Sequence, residues 1–122
     1  MMALPSAVST AFFVNAERIL TPDLSAYVAY QDGVPAATVI CLASHGIAGL
    51  YWVATRPDLQ RRGLADAITR HACNAAFDAG AGCVILQASP FGDPVYRRIG
   101  FREIARYAWF FVTREKLAAR GA

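Results

Sequence analysis

The sequence predicts an α/β (α+β) fold, in which a mixed, mostly antiparallel sheet contains one central parallel strand pair and is flanked by helices. The first half of the chain consists of short runs rich in β-branched and aromatic residues, separated by turn signals, as in consecutive antiparallel strands. The second half opens with a helical period followed by a short apolar run. A strand, helix, strand crossover joins parallel strands, so the sheet is expected to be mixed.

Three antiparallel strands are expected in the first half of the chain, near residues 24–31, 35–43 and 47–55. Asp32-Gly33 is a strong hairpin signal between the first two, and Ser44-His45-Gly46 marks the second turn. Residues 33–55 carry no charge and exceed the length of about 20 residues that a membrane helix needs. A proline near the start and the polar turn in the middle favour two strands instead, so no membrane segment is expected.

A helix is predicted from about Gly63 to Ala79, because small and apolar residues recur there at helical spacing. Cys83–Ala88 follows as a strand that we expect to be buried on both faces. Pro94 then begins a helix of one or two turns over Val95–Ile99. The aromatic stretch Phe101 to Val112 predicts the last one or two strands, and Lys116–Arg120 a ragged terminus. Pro5 to Leu20 fits either a helix or a poorly ordered lead-in.

Composition excludes several classes of protein. Of the 122 residues 56% are hydrophobic and 17% charged, which excludes a disordered chain. The net charge of +3 is small for a protein that binds duplex nucleic acid, so no nucleic acid partner is expected. Cys41, Cys73 and Cys83 form no CxxC pair. We interpret them as buried free thiols of a reducing compartment, which predicts a cytoplasmic protein without a metal site.

The segment that carries chemistry is Gln60-Arg61-Arg62-Gly63-Leu64-Ala65, a short loop that leads directly into the long helix. The first turn of a helix leaves about four N–H groups unpaired and carries roughly half a positive charge, so it stabilises a docked anion. Gly63 lets the backbone approach a ligand, and the arginines add charge. Taken alone, the segment also fits a plain strand-to-helix turn with surface arginines.

Two motifs in order resemble the GNAT superfamily of acyl-CoA-dependent N-acetyltransferases. The loop reads Q-x-x-G-x-A, and Tyr96-Arg97-Arg98-Ile99-Gly100-Phe101 is similar to the family's Y-x-x-x-G-F segment. Trp52 to Pro57 also resembles the strand and proline that precede the family's phosphate loop. The resemblance implies a single GNAT-like domain over residues 1–122, with a short or partial N-terminal lobe over 1–23 and the sheet and cofactor-binding core over 24–112.

The resemblance assigns acetyl-CoA as co-substrate and gives several residues a role. Backbone amides that would hold the pyrophosphate belong to Arg61, Arg62, Gly63, Leu64, Ala65 and Asp66. Val53 and Thr55 would offer backbone hydrogen bonds to the pantetheine arm, and Ser89 stands where many relatives have a cofactor-contacting asparagine. Tyr96 would donate a proton to the departing CoA thiolate, because a phenol with a pKa of about 10 is protonated at neutral pH. An aromatic side chain that only packs a short helix is the alternative for Tyr96.

The predicted function is transfer of an acetyl group from acetyl-CoA to a primary amine by direct attack. The third strand carries no carboxylate, so we name no general base and expect water to relay the proton or activity to be low. The alternatives are a non-catalytic CoA-binding or interaction module and a small RNA-binding domain that uses arginines beside Tyr107 and Trp109. The exposed edge of Tyr27–Gln31 predicts a homodimer that covers it.

Overall fold

Two hairpins form the first half of the sheet. The computed structural model describes residues 21–121, and the expectations for Pro5 to Leu20 lie outside this range. The strands are β1 (Leu24–Gln31), β2 (Val34–Ser44) and β3 (Ile47–Thr55), which confirms the three predicted strands. Both connecting turns place two residues at positive φ, Asp32-Gly33 at 52° and 77° and His45-Gly46 at 54° and 77°. Turns of this kind match the twist of antiparallel strands, and both pairs are antiparallel.

The long helix, α1, spans Leu64–Asp78, as its apolar spacing predicted. It lies on one face of the sheet and buries Ile68, Ala72 and Ala76 against the strands. Alanines along this stripe let the helix approach the sheet closely. The core also contains buried residues of the three strands, namely Ala37, Val39, Cys41, Ala48, Leu50 and Val53.

The fourth strand makes the sheet mixed. β4 (Cys83–Leu86) pairs in parallel with β3, from Ile47 opposite Cys83 to Leu50 opposite Leu86. The strand order among the described residues is β1-β2-β3-β4, so β1 and β4 are the two edges of this sheet. The mostly antiparallel sheet with one parallel pair is confirmed, although β4 ends two residues before the predicted Ala88.

Beyond β4 the structure departs from the prediction. α2 spans Asp93–Ile99, with Pro94 as its second residue, and Gly100 ends it at a φ of 122°. The prediction of one or two strands over Phe101 to Val112 is wrong, because residues 101–113 contain neither helix nor strand. A strand requires a hydrogen-bonding neighbour, and residues 101–113 are not part of the sheet formed by residues 21–121. The expected ragged terminus is instead a helix, α3 (Arg114–Gly121).

The cysteines divide by position in the sheet. Cys41 and Cys73 are buried free thiols, as expected, and burial raises the pKa of both. Cys83 is a free thiol but exposed, which corrects the prediction of a buried strand, since β4 is an edge. Within residues 21–121 no helix is long and apolar enough to cross a membrane, and no group of three His, Cys, Asp or Glu residues could hold a metal ion.

Candidate active site

The loop before α1 has an unusual backbone. After β3 a short 3-10 turn, Pro57–Leu59, is tied down by Arg56, whose guanidinium donates to both carboxylate oxygens of Asp58 at 3.1 Å. Arg61 and Gly63 then both adopt left-handed conformations, at φ 66° and 75°. A left-handed conformation is costly for an arginine, so the fold holds this loop in a strained shape. Such shapes turn neighbouring N–H groups to one side, as anion-binding backbone nests do.

The N-terminus of α1 is uncapped. Its first intrahelical bond runs from the Ala67 N–H to the Gly63 carbonyl at 3.0 Å, so the N–H groups from Gly63 to Asp66 precede the helical ladder. Within the described chain no side chain caps this end, because Gly63 occupies the N-cap position. These amides and the positive end of the helix dipole are therefore available to an anionic ligand.

The charges around this end favour an anion. Asp66, in the first turn, would repel one, but its carboxylate accepts a hydrogen bond from Arg70 at 2.6 Å. The same contact raises the pKa of Arg70, so the pair stays ionised and nearly neutral in sum. Arg61 and Arg62 are exposed, and neither forms an ion pair with another described residue. Positive charge thus dominates the loop.

Next to the loop, the sheet opens. The pairing of β3 with β4 stops at Leu50 and Leu86, whereas β3 continues to Thr55. The strand beyond Leu50 therefore borders a wedge between β3 and the chain that follows β4. This wedge lies at the carboxyl ends of two parallel strands, which is where open α/β sheets bind ligands.

A β-bulge lies at the start of the wedge. The register between β2 and β3 shifts between Thr38 and Ile40, and Trp52, opposite this shift, has a φ of 56°. A left-handed conformation is a true outlier for a residue as large as tryptophan. The Thr38 hydroxyl donates to the Trp52 carbonyl at 3.4 Å. Bulges of this kind re-aim the backbone next to active sites.

Val53 and Thr55 follow the bulge along the wedge. The side chain of Val53 belongs to the buried core, so only its backbone can reach a ligand, and the contact with the pantetheine arm stays a prediction. Thr55 pairs with Ala37 on the β2 side and is half-buried. Thr55 and Arg56 also line a mainly apolar cleft of about 410 Å³ beside the end of β3. A second cleft, of about 470 Å³, lies at the far end of the sheet around His45 and Gly80.

Ser89 shapes the loop between β4 and α2. Its carbonyl accepts from the N–H groups of Gly92 and Asp93, and its hydroxyl accepts from the Gly92 N–H at 3.3 Å. This arrangement is a local turn that leads into the helix. A contact between Ser89 and a cofactor stays a prediction, and the structure adds this turn-forming role.

Tyr96 lies on α2, half-buried, and its phenol points toward the start of that helix. A Cβ placed on Gly92 would approach the Tyr96 ring to 2.8 Å, so the ring lies against that glycine one turn earlier. The ring also packs edge-on against Phe101, with centroids 6.0 Å apart. Burial raises the pKa of Tyr96 above its usual value, so the hydroxyl is a proton donor throughout the neutral range.

The structure thus brings most of the predicted residues to one end of the molecule. The 3-10 turn joins the end of β3 to the loop before α1, α1 contacts α2, and α2 follows the loop after β4. Trp52 and Gly92 were missed from the sequence. Nothing in the strand-like run around Trp52 indicates a bulge. By contrast, Gly92 stands one helical turn before Tyr96, and this spacing indicates close packing of the ring against the glycine.

A family model describing an acetyltransferase (GNAT) domain matches residues 22–103. The chain belongs to the GNAT acetyltransferases. The match covers β1 to α2 and ends where the strands predicted after Phe101 fail to form. No curated protein sequence matches the chain.

Solved structures agree on the GNAT fold. The aminoglycoside N-acetyltransferase AAC(6')-Iy, in complex with CoA, superposes with a TM-score of 0.70 at 19% identity, covering 84% of this chain and 87% of its own. The ribosomal-protein-S18-alanine N-acetyltransferase of Escherichia coli gives 0.69 at 22% identity, covering 82% and 66%. A predicted acetyltransferase of Clostridium acetobutylicum, with acetyl-CoA, gives 0.63 at 19% identity, covering 98% and 82%.

Proposed function

We propose that this protein transfers the acetyl group of acetyl-CoA to a primary amine. The observation that carries the proposal is the uncapped N-terminus of α1 at the carboxyl end of β3, preceded by the left-handed residues Arg61 and Gly63. A pyrophosphate needs several converging N–H donors and positive charge, and the amides from Arg61 to Asp66 supply the donors. The CoA and acetyl-CoA bound in two similar structures support the same ligand here.

The wedge would hold the pantetheine arm. Beyond Leu50 the β3 backbone has no β4 residue opposite it, and Val53 and Thr55 are the residues we assign to this contact. An extended amide-containing chain can hydrogen-bond to such a strand as an added strand does. Because the Val53 side chain is buried in the core, the backbone that makes these bonds is held rigidly.

In the reaction, the neutral amine nitrogen attacks the thioester carbonyl carbon. A C–N bond forms, the C–S bond breaks, and the electron pair leaves with the CoA sulfur. Tyr96 donates its phenolic hydrogen to this thiolate, and the proton lost by the amine returns to the solvent or to Tyr96 through water. No carboxylate occurs in β3, so we assign no residue as general base. Among described residues, His45 lies in the turn at the opposite end of β3 from Thr55.

Binding and chemistry can be tested separately. Acetyl-CoA should raise the Tm by mass action, and the absence of any shift at millimolar ligand would remove both the catalytic and the binding assignment. Thiol release across a panel of primary amines then tests transfer. If CoA binds but no amine releases thiol, the protein is a CoA-binding module.

The role of Tyr96 requires matched variants. We expect Tyr96→Phe to lower the rate of thiol release roughly 10²-fold or more, within the usual range for a lost general acid, with binding of acetyl-CoA retained. Tyr30→Phe, at an exposed tyrosine of β1, should leave the rate unchanged. Gly92→Ala should also slow transfer, because the new methyl group displaces the Tyr96 ring. An unchanged rate in Tyr96→Phe would contradict the role as acid.

A further inference from the structure

The sheet formed by residues 21–121 carries no charged side chain. Its four strands, β1 to β4, contain no Asp, Glu, Lys, Arg or His. The loop that follows β4 is also uncharged from Gln87 to Gly92. Both sides of the wedge, which are β3 beyond Leu50 and the chain after β4, therefore consist of uncharged residues.

The first charged residue on each side of the wedge is paired with an opposite charge. After β3, the Arg56 guanidinium lies 3.1 Å from the Asp58 carboxylate. After the loop that follows β4, the Asp93 carboxylate accepts a hydrogen bond from Arg97 at 2.7 Å. Each pair sums to no net charge. A cationic ligand in the wedge would therefore meet no unpaired carboxylate from either of these two segments.

An apolar patch lies beside the narrow end of the wedge. Leu42, Gly49 and Ile85 stand opposite one another on β2, β3 and β4. A Cβ placed on Gly49 would approach the Tyr51 ring to 2.8 Å, so this ring lies across the glycine, in the row that the two aliphatic side chains flank. The side chains of Leu42, Tyr51 and Ile85, here called the apolar patch, are 39%, 39% and 42% exposed.

The apolar patch lies on the face of the sheet that α1 does not cover. Ala48 and Leu50 point into the core beneath α1, so Gly49 and Tyr51, which alternate with them, point to the opposite face. A pantetheine arm that follows β3 from the N-terminus of α1 would bring its thioester to the narrow end of the wedge, where the pairing with β4 stops. Since α1 covers one face there, an amine would reach the thioester from the face that carries the patch.

We propose that the acceptor is an apolar primary amine, whose aromatic or branched aliphatic group packs on the apolar patch while its amino group enters the wedge. The inference rests on the proposed acetyl transfer and names the class of its acceptor. An aromatic group would stack on the Tyr51 ring or meet it edge-on, and its burial would remove apolar surface from water. A polycationic acceptor would find no carboxylate on the four strands for its additional ammonium groups, so their desolvation would oppose binding.

The uncharged surroundings would also act on the amino group itself. Desolvation disfavours the ammonium form and lowers the pKa of an amine, whereas a nearby carboxylate stabilises the ammonium. The neutral nitrogen is the nucleophile, so an apolar wedge increases the reactive fraction of the bound amine. The ammonium proton leaves to water on binding, and attack on the thioester carbonyl then follows. Transfer is in this way compatible with a β3 strand that lacks a carboxylate.

Acceptor preference is the first test. Thiol release from acetyl-CoA is measured with phenethylamine, isopentylamine, spermidine and an aminoglycoside, each over a range of concentrations. We expect kcat/KM for the two apolar amines to exceed that for the polycations about tenfold or more, the size of effect that small apolar contacts produce. Faster transfer to spermidine or the aminoglycoside would overturn this inference and leave acetyl transfer intact. No thiol release with any amine would instead contradict the proposed function.

Substitutions at Tyr51 test where the apolar group packs. Tyr51→Ala should lower kcat/KM for phenethylamine roughly 3- to 10-fold, because the ring contact is lost, whereas Tyr51→Phe keeps the ring and should stay near the wild type. Tyr30→Ala, at an exposed tyrosine of β1, is the matched control and should leave kcat/KM unchanged. An equal loss in Tyr51→Phe would show that the hydroxyl is needed and would overturn a packing role for the ring.

A charge placed in the apolar patch tests the same site from the opposite direction. Leu42→Glu should shift the ratio of kcat/KM for phenethylamine and spermidine toward spermidine by up to about fivefold, the effect of one exposed ion pair. Leu117→Glu, on α3, should leave this ratio unchanged. The Tm shift with acetyl-CoA shows that each variant is folded and binds cofactor. An unchanged ratio in Leu42→Glu, with a full rate for phenethylamine in Tyr51→Ala, would overturn the assignment of the patch.

Discussion

β3 and residues 104–112, here called the C-terminal arm, are alike in composition and opposite in structure. Both are uncharged or nearly so and rich in aromatic and β-branched residues. In β3, Ala48 and Leu50 are almost fully buried and pair with strands on both sides, whereas Phe110 and Phe111 in the arm are 92% exposed. The difference shows that a segment forms a strand only where neighbouring strands accept and donate its backbone hydrogen bonds. Residue type makes a strand favourable but does not by itself produce one.

The largest expected contrast comes from truncating one side chain in each region. Leu50→Ala should destabilise the fold by about 2–5 kcal/mol, because a cavity remains in the core. Phe110→Ala should change the stability of the monomer by no more than about 0.5 kcal/mol. Urea unfolding of the wild type and both variants at one low protein concentration measures the two changes in the free energy of unfolding. Equal losses would mean that the arm packs on its own chain.

The loop before α1 is a second ordered region, and its shape depends on its backbone conformation. Gly63→Ala should cost about 1–2 kcal/mol, because alanine is disfavoured at a φ of 75°. Gly82→Ala is the control, since a methyl group there makes only ordinary contact, 3.7 Å from the Gly46 carbonyl oxygen. Thermal unfolding compares the two variants. A Gly63→Ala protein as stable as Gly82→Ala would show that the loop relaxes without strain.

Thr69 offers a comparison at a buried polar side chain, in contrast to the exposed apolar side chains of the arm. Its side chain is fully buried on α1, and its hydroxyl has no hydrogen-bond partner among residues 21–121. Replacing it by valine removes an unsatisfied polar group, so Thr69→Val should raise the free energy of unfolding by about 1 kcal/mol. Thr69→Ser keeps the hydroxyl and loses a methyl group, and should be less stable than the wild type. A less stable Thr69→Val protein would reveal a partner for the hydroxyl.

The smallest effect concerns the base of the arm. Hydrogen bonds from Arg106 and Arg97 lower the pKa of Glu103, so its carboxylate binds protons more weakly in the folded state. Its contribution to stability is therefore present above the unfolded pKa of about 4.3 and disappears as the pH falls through the lower folded value. In Glu103→Gln this loss is absent, so the free energy of unfolding should fall less steeply with decreasing pH than in the wild type. Unfolding curves measured between pH 3 and 6, roughly one to two units on either side of the reference pKa of glutamate, test this. A fall in stability as steep in Glu103→Gln as in the wild type would contradict this contribution.

Local signals were sufficient for most of the fold. The glycine-containing turns, the helical spacing of α1 and the loop before it are each specified within a few residues, so they were predicted at nearly their observed boundaries. α3 also has such a signal, since Thr113 caps it by accepting from the Lys116 N–H at 3.3 Å. That cap was overlooked in favour of a ragged end.

What could not be predicted depends on non-local pairing. Whether residues 101–112 form a strand depends on a neighbouring strand, and the exposure of Cys83 depends on β4 being an edge. The bulge at Trp52 follows from the register of β3 against β2, which no single run of residues specifies. In the candidate site, sequence motifs indicate the loop before α1 and Tyr96, whereas no motif indicates the left-handed conformation of Trp52.

The Trp52 bulge also divides β3 into two halves of opposite parity. Before it, even-numbered residues such as Ala48 and Leu50 face the core, and after it the odd-numbered Val53 does. The one inserted residue thus lets β3 begin as a regular strand of the sheet and end along the wedge, while the side chain of Val53 stays in the core. Deleting Trp52 would restore a regular ladder to Thr55 and leave Val53 facing inward, because Val53 would then follow Leu50 by two residues.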